Sequence, residues 1–199
     1  MLIERIKAIL LKPQEAWSNI KGENGNAVQV LFGYAMPLAL LPAVFGMLGY
    51  VLIGHRYGLG PAGGIVRVPI TYALIWAAIS YVLTLVGLGV EALVVNGLAP
   101  SFRSKQNFLN AYKLAVYAYT PAFVAGILNI IPVLGFLVFL LSLYGIYLLY
   151  LGFPVMMETP KEKTFGYLVV TIIVLIIIYA IIGAISAAIL ALLWRPVLF

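Results

Sequence analysis

The sequence predicts an all-α fold: a polytopic transmembrane helical bundle of five spans, with a cytoplasmic N-terminus and an external C-terminus. Three observations carry that expectation. The chain is 64% hydrophobic and only 9% charged, with a mean hydropathy of +1.12, whereas soluble domains carry about 25% charged residues. Residues 24–54, 68–90, 114–157 and 164–194 contain no charged side chain. The basic residues fall mostly on alternate connections. A helical crossing needs about 20 apolar residues, and without water to satisfy backbone groups each crossing is helical. Such runs cannot all be hidden inside 199 residues, which excludes a soluble core.

The first 22 residues form a separate cytoplasmic segment, with the membrane domain occupying 23–199. Leu2, Ile3, Ile6, Ile9 and Leu10 recur at helical spacing while Glu4, Arg5, Lys7 and Lys12 take the other positions. That pattern suits a short amphipathic helix on the inner membrane surface. Glu4, Arg5 and Lys7 also interrupt any signal-peptide core, and no small-residue cleavage site follows. Lys12-Pro13 breaks the helix, and Pro13 begins a second one carrying Trp17 at interface depth.

The spans are placed near 28–53, 68–95, 110–129, 132–154 and 166–194. Pro37 and Pro42 kink the first. The connector after it contains GLGPAG at 58–63, a literal G-x-G-x-x-G. That fingerprint binds dinucleotides only between a strand and a helix of a βαβ unit, so it reads as a flexible loop. Span two presents Ala73, Ala77, Ser80, Thr84, Gly87 and Glu91 at alternating steps of four and three. Small, weakly polar faces of this kind let membrane helices pack closely. The uncharged block 114–157 is 44 residues, about 66 Å of helix at about 1.5 Å each. It therefore holds spans three and four, with the turn at Asn129-Ile130-Ile131-Pro132. Pro121 bends the former and Pro154 loosens the end of the latter. Glu158, Lys161, Glu162 and Lys163 stop span four and start span five, with Thr159-Pro160 as the helix-start signal. Span five carries Ala180, Ala184, Ala187, Ala188 and Ala191 near Gly183, a second small-residue face through which a protein partner or another copy of the chain can dock.

Orientation follows from charge. The N-terminal segment and the connections at 96–113 and 155–165 hold nine basic residues, and the other side holds Arg56, Arg67 and Arg195. The positive-inside bias puts the first set in the cytoplasm and the protein in the inner membrane. The net charge of +6 therefore reports topology and not nucleic acid, for no basic cluster is interleaved with aromatics on a soluble face.

Glu91 is the only acidic residue inside a span, where ionisable groups are costly and usually paired. Lys113 is its natural partner. Alternatively Glu91 is wetted at the interface and Lys113 snorkels. Tyr112, Tyr117 and Tyr119 crowd span three, and Tyr144, Tyr147 and Tyr150 crowd span four. Those at mid-depth donate hydrogen bonds across the bundle. The candidate intramembrane polar site is thus Glu91, Lys113, Tyr117, Thr120, Tyr147 and Tyr150. Catalysis finds little support. The chain has one His, no Cys and no Asp, so thiol chemistry, a carboxylate pair and a metal-ligand cluster are all missing. No cofactor or metal is expected. The leading function is a non-enzymatic membrane protein that organises membrane or partner proteins. The alternative is a small-solute or ion transporter with a polar path near Glu91 and Lys113.

The run AYTPAFVAGILNIIPVLGFLVFLLSLYGIYLLYLGFPVMMETPKEKTFGYLVV, residues 118–170, resembles the Yip1 family as found in prokaryotes. The most specific parts are Thr120-Pro121 with Tyr119 in the variable slot before it, Ile131-Pro132 with Gly135, and IYLLYLGFPVMMETPKEK. Pro13-x-Glu15-x-Trp17 is similar to the segment preceding the first span in those relatives. The resemblance implies five spans with a cytoplasmic N-terminus and no catalytic residues to transfer. Eukaryotic members act in early secretory trafficking and membrane shaping, associate with Rab GTPases, and usually have a longer soluble N-terminal region. This chain lacks that region, so a Rab-binding role is not implied.

Overall fold

The computed structural model describes residues 2–57 and 64–193, with side chains for all of these except 55–57, 65, 66, 179 and 182–193. The GLGPAG run and Phe199 lie outside the described residues.

Two short helices come first, α1 (Leu2–Leu11) and α2 (Pro13–Gly22). Pro13 ends the first because it has no N–H to give, and it opens the second, where a missing N–H costs nothing. Ile9 of α1 is buried, Leu2 and Ile6 pack on the core, and Ile3 and Leu11 stay exposed. Ala16, Trp17 and Ile20 form the buried face of α2. Trp17 is fully buried in the protein core, 0% exposed. Its indole lies against Gly152, where an added Cβ would come 3.0 Å from Trp17 Cε2. The two helices share one hydrophobic core with the bundle, so packing continues across residue 22.

Among the described residues, four helices are long and apolar enough to cross a membrane: α3 (Ala27–Ile53), α4 (Ile70–Phe102), α5 (Phe108–Ile130) and α6 (Pro132–Met156). A capping box starts α3, with Asn26 Oδ1 accepting from Gln29 N at 2.8 Å and Gln29 Oε1 accepting from Asn26 N at 3.2 Å. A wide π-helical turn at Leu31–Ala35 precedes Pro37, and another closes the helix at Gly49–Ile53. Pro42 meets Gly126 of α5 so closely that a Cβ there would come within 2.5 Å of the proline Cβ. A last helix, α7, runs from Lys161 to Leu193 over 33 residues, starting earlier than the expected 166.

One departure from an all-helical chain is a small hairpin. Strands β1 (His55–Tyr57) and β2 (Gly64–Val66) pair antiparallel, His55 opposite Val66. They flank the run expected to be a plain loop.

The connections that the charge pattern assigned to one side meet in space. Lys21 Nζ bonds Glu158 Oε1 at 2.9 Å, and Lys105 Nζ lies 3.7 Å from the same oxygen. Lys105 N donates to the Met157 carbonyl at 2.8 Å, and Ser104 Oγ to Thr159 Oγ1 at 2.9 Å. Glu158 holds φ at 54°, the left-handed region, an unusual state for a residue with a Cβ. At the far end, Gly49 of α3 abuts the Asn129 and Ile130 carbonyls of the α5–α6 turn.

Candidate functional site

Proline frees carbonyls, and this chain uses side chains to occupy them. Pro121 cannot donate to the Tyr117 carbonyl one turn back. Thr120 Oγ1 donates there instead, at 2.6 Å. With its hydrogen spent, that oxygen accepts from Tyr34 Oη of α3 at 2.8 Å. Pro100 likewise frees the Asn96 carbonyl, which Gln106 Nε2 reaches at 3.1 Å. In the last turn of α1, the Leu10 carbonyl accepts from Tyr144 Oη at 3.1 Å.

Lys113 belongs to the same scheme. Its Nζ donates to the Ile20 and Glu23 carbonyls, at 3.0 and 2.9 Å, at the C-terminal end of α2. A cation there meets both the orphan carbonyls and the negative pole of the helix. Glu23 in turn pairs with Arg5 of α1, whose guanidinium stands 5.7 Å from the Tyr117 ring centroid. Tyr117 meets Tyr34 edge-on, their centroids 4.6 Å apart. Arg5, Glu23, Tyr34, Lys113 and Tyr117 therefore form one connected group. They line a cavity of about 1020 Å³ between α1, the α2–α3 link and the bundle. Asn19, Asn24, Asn26 and Gln29 complete its polar wall.

Glu91 lies elsewhere. It is buried, 7% exposed, and lines a second cavity of about 260 Å³ with Ser80, Thr84, Gly87 and Tyr119. The two cavities share no lining residue. Glu91 and Lys113 are thus separated into different sites, and Lys113 spends its charge on backbone. Tyr147 and Tyr150 face outward at 47% and 41% exposure, so neither joins the other candidates. Tyr147 instead tilts against Tyr144, centroids 5.5 Å apart. On span two, Ala73, Ala77 and Gly87 are buried within this single chain. The span-five counterparts lie mostly outside the described side chains, and Ala180 is exposed.

Sequence reasoning missed Arg5, Glu23 and Tyr34. Arg5 reads as one polar position of an amphipathic helix, Glu23 carries no motif, and Tyr34 sits alone in an apolar run. The signal was the proline at 121, which implies an orphan carbonyl and hence a donor nearby. Outside the spans, Glu158 has its carboxyl held below the usual range, first by the Lys21 hydrogen bond, then by the Lys21 and Lys105 charges. Among the described residues no group of three or more His, Cys, Asp or Glu stands ready to hold a metal ion. In the larger cavity Lys113, Asn26 and Gln29 hold helix ends and Arg5 pairs with Glu23.

Comparison with known proteins agrees with these features. Neither the curated proteins nor the solved structures give a match. The family profile described as Yip1 domain matches residues 7–185. That range takes in the second half of α1, the Thr120-Pro121 break, the Glu158 junction and much of α7. The chain belongs to the Yip1 family.

Proposed function

We propose that the protein is a non-enzymatic five-span protein of the cytoplasmic membrane, N-terminus inside, that organises membrane or partner proteins through its helical bundle. The observation that carries this reading is the docked N-terminal pair. The charged and hydroxyl groups around it are spent on fixing one end of the bundle, which is how a scaffold and not a reaction centre uses them. The junction at Glu158 gathers three segments rich in Lys and Arg, which supports placing that end in the cytoplasm. At about 1.5 Å per residue, the 33 residues of α7 span about 50 Å, enough for a fifth crossing.

Ala73 and Ala77 of span two are buried inside the chain, so the face assigned to a partner or a second copy is the small-residue series of span five read from the sequence: Ala180, Gly183, Ala184, Ala187, Ala188 and Ala191. The native chain has no cysteine, so single cysteines along 178–190 can be oxidised in native membranes without background. Cross-links that recur at 180, 184 and 187 and skip the intervening positions are the expected result. In vesicles the purified protein should add no solute flux over protein-free controls. Uniform or absent cross-linking, or a saturable flux, would overturn the reading.

A further inference from the structure

The cavity at Glu91 has a chemistry that the scaffold reading does not use. One face of α4 supplies Ser80, Thr84 and Glu91, and α5 supplies Tyr119. Ser80 Oγ donates to the Ala77 carbonyl at 3.0 Å, and Thr84 Oγ1 donates to the Ser80 carbonyl at 2.8 Å. Each hydroxyl has one hydrogen, so both oxygens turn only lone pairs toward the cavity. Glu91 is nine-tenths buried, and no hydrogen bond or ion pair to it is found among the described residues. Lys113, the embedded cation able to neutralise it, is held by the Ile20 and Glu23 carbonyls. The cavity therefore offers a carboxylate and two neutral acceptor oxygens, with the Tyr119 hydroxyl free to orient either way.

Depth sharpens the requirement. Glu91 lies 11 residues before the end of α4 at Phe102, about 16 Å along a helix axis. A bilayer core is about 30 Å thick and α4, at 33 residues, is about 50 Å long, so a centred α4 puts the carboxylate about 6 Å inside the hydrocarbon boundary. A bare charge there is costly, and it is removed either by a proton or by a bound cation. One carboxylate balances one positive charge. Oxygen donors suit hard cations and ammonium groups, and with no second carboxylate a divalent ion would leave a net charge. We infer that the Glu91 cavity is a binding site for a small monovalent cation, either an alkali-metal ion or a primary ammonium group, held by Glu91, Ser80 and Thr84. The site is independent of the partner-organising reading.

Thermal unfolding of the full chain in detergent tests this, because a ligand bound only to the folded state raises Tm in proportion to the logarithm of its concentration. Ionic strength is held constant with N-methylglucamine, a secondary ammonium on a polyol chain and so neither a metal ion nor a primary ammonium. It is replaced stepwise by sodium, by potassium or by methylammonium in separate titrations. At least one replacement should raise Tm by about 5 °C at saturation. A metal-only response identifies the ion, and a methylammonium-only response identifies an amine. Glu91→Gln should abolish the shift while leaving Tm in N-methylglucamine equal or higher. Thr84→Val, which keeps the shape and removes one oxygen, should move the half-saturating concentration up about tenfold, and serves if Glu91→Gln fails to fold. Equal responses in wild type and a folded variant, or no response to any of the cations, would overturn the proposal.

Discussion

Thr120 makes two bonds with one hydroxyl, donating to the Tyr117 carbonyl and accepting from Tyr34. Thr120→Val removes both, leaving a buried carbonyl and a buried phenol without partners. It should cost about 1–3 kcal/mol in thermal or denaturant unfolding. Tyr34→Phe should cost less, because Thr120 then still serves the carbonyl. The pair should couple by at least about 0.5 kcal/mol in a double-mutant cycle. Lys113→Met should be costly for a similar reason, since it strands the carbonyls of Ile20 and Glu23. Combined with Glu91→Gln, its effect should be additive within about 0.5 kcal/mol, because the two side chains occupy separate cavities. A recovery of stability in the double mutant would place them back in contact. Lys113's partner was not legible in the sequence because it is no opposite charge. It is the end of a helix, and backbone acceptors leave no mark in residue identities. At Glu158 the depressed carboxyl fixes a sign. A group whose folded-state pKa lies below its unfolded value contributes stability above the unfolded value, near 4.3, and loses it as pH falls through the folded one. Between about pH 5 and 3 the wild type should therefore lose more Tm than Glu158→Gln does.

Among the elements, α2 is the one whose burial exceeded its sequence signal. Its apolar positions are few, yet Ala16, Trp17 and Ile20 are sealed into the bundle. Trp17→Ala should destabilise by about 3–5 kcal/mol, as other large core truncations do. Trp17→Phe should cost less, because the indole Nε1 has no hydrogen-bond partner to lose. Equal costs for the two would assign the indole N–H a role it does not have here. The spans were legible because an uncharged run long enough to cross a bilayer has few other fates. Their ends were less so. Span two is expected to stop near 95, yet α4 continues through Asn96, Gly97 and Pro100 to Phe102. Tertiary contacts make that possible. Tyr167 Oη donates to the Val95 carbonyl and Gln106 reaches that of Asn96, so helix-breaking residues are tolerated where distant side chains satisfy the backbone.

At the scale of the whole molecule, the junction of Lys21, Lys105 and Glu158 puts three connections at one end, and topology becomes a single testable statement. Cysteines introduced at the exposed positions 7 and 162 should react with a membrane-impermeant reagent from the cytoplasmic side. A cysteine at the exposed position 67 should react from the other. Labelling of 67 and 162 from one side would break the five-span orientation. That same junction also dictates an order of events during synthesis. Lys21 and Glu158 are 137 residues apart, and the pocket that receives Trp17 needs Gly152. The N-terminal helices leave the ribosome first but have nothing to dock on until α6 has been made. At about 5–20 residues per second that is a wait of roughly 7–27 s. During it, Trp17 and Ile9 are without the partners that bury them in the finished protein. An amphipathic α1 gives the nascent chain a resting place on the membrane surface. The surface-bound helix read from the sequence and the docked helix of the fold are then successive states of one segment.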